Sequence, residues 1–179
     1  MRAGDDVVTH TGAVQPIESV TSTTLSRAAG ESWARESLPV RIARGALGEN
    51  VPHANLYLSA WHLLLLDGVL IPAGDLVNGT TISLSDSADT DTLTYFHIQM
   101  AEHSAVLAEG ARCETLLPTE TTATQPPMAA MAPVVRTRGG VTALTSRLRS
   151  AISPIVDVRT RADIIRDGLE DRAECLRAA

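Results

Sequence analysis

No lysine occurs anywhere in the chain; all 15 basic residues are arginines. A lysine Schiff base and the phosphate-binding lysine of a Walker-type loop are therefore excluded. Aromatic residues make up only 3% of the sequence, one Phe, two Trp and two Tyr. That is too few for a nucleic-acid surface built on base stacking, and it leaves Leu, Val, Ile and Ala to fill the core. No apolar run nears the ~18–20 residues of a membrane-spanning helix. The longest, Leu63 to Leu66, is followed by an Asp67-Gly68 break and then Val69 to Ile71. Two cysteines, Cys113 and Cys175, have no metal-ligand spacing and are too few for a disulfide framework. Met1 to Asp6 contains no apolar stretch of the kind a signal peptide needs, so a cytoplasmic location is the default expectation.

The 179 residues suit one domain with a small appendage, and a 44% apolar content is enough for a buried core. A net charge of −6 argues against nucleic acid or an anionic membrane as partner. The charge is uneven. Residues 1–118 hold 6 Arg against 14 acidic residues, whereas residues 119–179 hold 9 Arg against 7. Two segments of different character are expected, joined by a Thr/Pro/Ala linker over residues 119–133.

Residues 1–118 read as β structure, with short β-prone runs punctuated by Gly, Asn, Asp and Pro. The runs are Val7 to Thr9, Pro39 to Ala43, Leu56 to Leu58, Leu63 to Leu66, Val69 to Ile71, Thr80 to Leu84, Leu93 to Met100 and Ala105 to Ala108. Asp67-Gly68 predicts a type I′ hairpin turn, and Asn78-Gly79 predicts a second turn. In Leu93 to Met100, Thr94, Phe96, Ile98 and Met100 share a largely apolar face opposite the mixed face of Leu93, Tyr95, His97 and Gln99, and burial on at least one side is expected. The polar stretch 21–37 reads as a long loop. In residues 134–179, Val141 to Ile152 and Asp157 to Ala178 read as helices, broken at Ser153-Pro154. The second carries Ile165, Leu169, Ala173 and Leu176 at helical spacing, with Arg166 placed to pair with Glu170 on a solvated face.

No catalytic motif of general type is present: no G-x-S-x-G, H-E-x-x-H, G-x-G-x-x-G or phosphate loop. The five histidines are scattered, and no set of three or four ligands is grouped as zinc requires, so no metal and no cofactor is expected.

The informative stretch runs from Gly4-Asp5-Asp6-Val7-Val8-Thr9 and Pro16-Ile17 to Leu107-Ala108-Glu109-Gly110. Between them stand Pro39-Val40-Arg41-Ile42, Gly45-Ala46-Leu47-Gly48 and Leu56 through Gly68, which includes Ser59-Ala60-Trp61-His62. Val69 to Ala73, Leu76 to Gly79, Thr94 to Ile98 and His103 complete the set. In this order, over residues 2–118, they resemble the bacterial Hint domain, the hedgehog/intein autoprocessing fold. The resemblance implies a mainly β fold and intramolecular peptide-bond cleavage on the chain's own precursor. An N-terminal Cys or Ser attacks the preceding carbonyl in an acyl shift. Ser59 and His62 match the element that polarises the scissile peptide, Ser59 as hydrogen-bond partner and His62 as proton donor to the leaving amide. His103 matches a second histidine used in a later step. Such chemistry rests on positioning and proton transfer.

Two departures qualify this. The family's nucleophile precedes the Gly-Asp-x-Val-x-Thr element, which here begins at Gly4, so the nucleophile and its strand are expected upstream of Met1. Where inteins end in His-Asn, this chain reads Gly110 to Thr115 without Asn, which excludes splicing. Cys113 lies where the family's C-terminal end approaches the active site, so a nucleophilic role with His62 or His103 as base is weighed against simple packing, and packing is preferred. His10, His53 and His97 are assigned no role. The expectation is a Hint-related chain inactive by itself. The alternative is a non-enzymatic binding or structural module on the same scaffold, its open sheet edges favouring a homo-oligomer.

Overall fold

The computed structural model describes residues 1–85, 90–116 and 160–178. The linker and the helix expected over Val141 to Ile152 lie outside the described residues. The described chain is mainly β, with one C-terminal helix.

The strands are β1 (Asp6–Val8), β2 (Val14–Pro16), β3 (Ser19–Ser26), β4 (Val40–Ile42), β5 (Leu56–Leu58) and β6 (Leu63–Leu66). They continue with β7 (Val69–Pro72), β8 (Ile82–Leu84), β9 (Thr92–Gln99), β10 (Ala105–Ala108) and β11 (Ala111–Glu114). Short antiparallel ladders assemble in the orders β1-β2, β3-β9, β5-β4-β8 and β10-β11-β6-β7. Asp67 and Gly68 both take positive φ, 47° and 78°, as the type I′ turn between β6 and β7 requires. At the second turn Asn78 Oδ1 accepts the backbone N–H groups of Thr80 and Ile82 at 3.0 Å each, which launches β8.

The main core lies where the β4 and β6 sheets meet. Val40, Ile42, Leu64 and Ile82 are fully buried, joined by Ile71, Ala111 and Cys113. Each large aliphatic side chain buried there contributes roughly 1.5–3 kcal/mol. A smaller cluster of Ile17, Met100 and Val106 seats the β1–β2 hairpin against β10.

One expectation is corrected. The segment 21–37 is not a continuous loop, because Ser19–Ser26 forms β3 and pairs along its whole length with β9. Its Thr-rich pattern escapes a hydrophobicity reading, yet β-branched Thr suits a two-stranded ribbon exposed to water. The apolar face of β9 is enclosed only towards its C-terminal end, where Met100 is fully buried and Ile98 packs against the smaller cluster. Phe96 is 67% exposed, whereas Leu93, Tyr95 and His97 are half-buried. Among the described strands β9 pairs only with β3, and none covers Phe96.

The helix α1 (Arg161–Ala178) is an integral part of this packing. Thr160 and Asp163 form a reciprocal cap: Asp163 N–H donates to Thr160 Oγ1 at 3.2 Å, and Thr160 N–H donates to Asp163 Oδ2 at 2.9 Å. Ala162 and Leu169 enter the main core. Arg166, expected on the solvated face, is instead buried. Its Nε donates to the Asp75 carbonyl at 3.0 Å, and its guanidinium lies 3.5 Å from the carboxylates of Asp75 and Asp163. Arg172 donates to the Gly45 carbonyl.

Candidate active site

β5 and β6 are joined by a four-residue turn, Ser59 to His62, closed by the His62 N–H donating to the Ser59 carbonyl at 3.1 Å. A second layer braces it. Ala73 and Gly74, from the 3-10 turn Ala73–Leu76, donate to the carbonyls of His62 and Ala60 at 2.8 Å each. Glycine at position 74 suits this approach, since a Cβ there would lie 3.0 Å from the Ala60 oxygen and 3.1 Å from its Cβ, tight enough to press the turn outward. The turn is thereby held rigidly on the core while its Ser59 and His62 side chains meet a cavity.

That cavity, of about 170 Å³, is lined by Tyr57, Leu58, Ser59 and His62 on one side and Thr94, Tyr95, Phe96 and His97 of β9 on the other. Both strands present unsatisfied edges to it. In an antiparallel ladder, alternate residues direct both backbone groups to the same neighbour. The Ile98 carbonyl turns away from β3 to accept from Leu116, so Phe96 and Thr94, of the same parity, also point their backbone groups away from β3. By the same reasoning Val40 and Ile42 face β5, and Tyr57 points outward from the free edge of the β5-β4-β8 sheet. Among the described residues no backbone partner meets Tyr57, Thr94 or Phe96 on these sides.

Ser59 is buried at the cavity wall, and His62 is partly buried. Burial lowers the His62 pKa below its ordinary value, the positive charge of a protonated His97 lowers it further, and a hydrogen bond to the Glu114 backbone opposes both. Burial also lowers the pKa of His97. Both rings are thus favoured in the neutral form. Tyr95 donates its hydroxyl proton to the Ser37 carbonyl at 2.7 Å, and burial pushes its pKa up to about 12.

His103 does not line the cavity. Its Nε2 lies 2.8 Å from Glu114 Oε1, the residue whose backbone meets His62, so Glu114 stands between the two histidines. Cys113 is on β11 opposite Leu64, inside the main core, with its thiol pushed up to about 12 by burial. That is the environment of a packed small residue, with no thiolate available to attack. His10 is exposed, and His53 pairs with Glu109 at 2.8 Å, both away from the cavity.

The residue that sequence reasoning missed is His97. Its alternation with Leu93 and Tyr95 marked a mixed strand face, but only the packing of β9 against the β5–β6 turn brings that face to His62. Glu114 was missed for the same reason: its link to two histidines separated by 41 positions has no sequence signature.

A family model of the Hint domain matches residues 1–120, and the chain belongs to this family. It is thereby related to autoprocessing domains. Comparisons with curated proteins and with solved structures returned no match.

Proposed function

We propose that the cavity between β5 and β9 is the acid–base site of a Hint-type autoprocessing reaction on the chain's own precursor. The observation that supports this best is the convergence of Ser59, His62 and two unpaired strand edges on one small cavity. A polypeptide in extended form can satisfy the outward backbone groups of Tyr57, Thr94 and Phe96, which presents a peptide bond to His62.

The chemistry follows from the ring's environment. A neutral imidazole has one N–H, and the Glu114 backbone beside His62 favours the protonated ring. The neutral ring's other nitrogen is bare. It accepts the proton of an attacking thiol or hydroxyl as the new C–S or C–O bond forms. The resulting imidazolium then gives that proton to the amide nitrogen as the C–N bond breaks, so the step is an isomerisation with no net proton change. Ser59 steadies the scissile peptide by hydrogen bonding. His103, held by Glu114, supports His62 from behind and serves any later step.

Among the described residues no thiol lines the cavity. In this reading the attacking Cys or Ser belongs to the segment that carries the scissile bond, and Ser59 and His62 polarise that bond. The longest in-frame product of the native locus tests this by intact mass. Release of an N-terminal fragment, abolished by His62→Ala, is the expected result. An unchanged mass from pH 5 to 9 overturns the reading.

A second reading, a binding module on the Hint scaffold, is favoured by one observation. Three of the few aromatic side chains, Tyr57, Trp61 and Phe96, are more than half exposed at or beside the cavity. In that case the native product keeps its full mass, and its free strand edges pair with another chain, a second copy included.

A further inference from the structure

We propose that His97 is the positioning partner of His62: the two imidazoles face one cavity and hold a single proton between them. None of the eight residues lining the cavity is a carboxylate or an arginine. Tyr57 of β5 and Tyr95 of β9 are neutral phenols there, and Tyr95 is already committed to the Ser37 carbonyl. From β11, Glu114 offers His62 its backbone and spends its carboxylate on His103. From the 3-10 turn behind His62, Asp75 is engaged by Arg166. The charge each ring meets in the cavity is therefore that of the other ring.

Two cations in a cavity of about 170 Å³ with no counter-charge on its walls repel one another strongly. The first proton to arrive thus opposes the second, and the two rings titrate as a coupled pair. Applied to the acyl shift, which rests on the reading above, this gives His97 a definite task. It weakens the hold of His62 on the proton taken from the nucleophile, so the His62 imidazolium is a stronger acid toward the amide nitrogen. The proton moves from nucleophile to His62 to nitrogen, and His97 acts only through His62.

The experiment is an NMR titration of the ring Cε1 protons in the folded chain, comparing wild type with His97→Gln and with His62→Gln. In a coupled pair the ring protonated second bears the repulsion, and here that ring is His62. Removing His97 should raise the proton affinity of His62 about threefold or more, roughly half a pH unit, whereas His97, which takes its proton while His62 is neutral, should keep its midpoint when His62 is removed. An unchanged His62 midpoint in His97→Gln overturns the proposal. Dispersed amide signals verify that each variant is folded, and His97→Asn replaces His97→Gln if that variant is not. In the native-locus precursor, His97→Gln should also move the acid limb of the release profile. A His62 shift without any release leaves the pairing standing and overturns the autoprocessing reading; release without that shift does the reverse.

Discussion

The Gly74 N–H donates to the Ala60 carbonyl at 2.8 Å, and a side chain at position 74 would press on that same residue. Ala60 is the second residue of the turn that carries Ser59 and His62, so this contact sets how closely the turn sits on the core. Gly74→Ala should cost about 1–3 kcal/mol, the usual range for overpacking a tight site. Urea unfolding measures the loss. The same variant should shift the His62 ring resonances while leaving those of His53, which sits away from the cavity, unchanged.

The histidines predict an acid limit to stability. His62 and His97 both have folded-state pKa values below the ordinary 6.5, so the unfolded chain binds more protons than the folded one in mild acid. Their contribution is complete above the unfolded value and disappears as pH falls through the folded values. Thermal unfolding should give a midpoint that is flat near neutrality and declines below about pH 6.5. A double His62→Gln, His97→Gln variant should lose part of that decline.

Cys113 and Tyr95 predict the alkaline limit. Both have pKa values raised to about 12, which means that the fold keeps them neutral. Their stabilisation is present below the unfolded values and is lost as pH rises toward 12, so unfolding should become easier above about pH 9. Iodoacetamide at neutral pH should modify the exposed Cys175 and spare Cys113 until the chain unfolds, a difference that mass spectrometry of peptides reads directly.

Arg166→Ala removes a buried guanidinium that bridges α1 to the 3-10 turn after β7. It leaves Asp163 buried without that partner, although Thr160 still caps it. Breaking a buried pair costs 3–5 kcal/mol, and the half-exposed Asp75 reduces the expectation to about 2–3 kcal/mol. Loss of helical circular dichroism together with β-sheet signal in one transition would show that helix and sheets unfold as a unit.

Much of the scaffold was legible in the order of residues alone. Asp67-Gly68 and Asn78-Gly79 mark turns because few residues tolerate positive φ, and the runs Leu56 to Leu58, Leu63 to Leu66 and Val69 to Ile71 became β5, β6 and β7. The Ser59 and His62 pair was legible too, since a local turn carries both. Those features depend on neighbours in the chain. What the tertiary structure alone decided are relations between distant residues: β3 pairing with β9, Phe96 turned to solvent, Arg166 drawn inward to Asp75, Cys113 sealed in the core and His97 brought to His62. Each depends on which surfaces pack together, and the burial that sets a side chain's exposure or proton affinity exists only once they have done so.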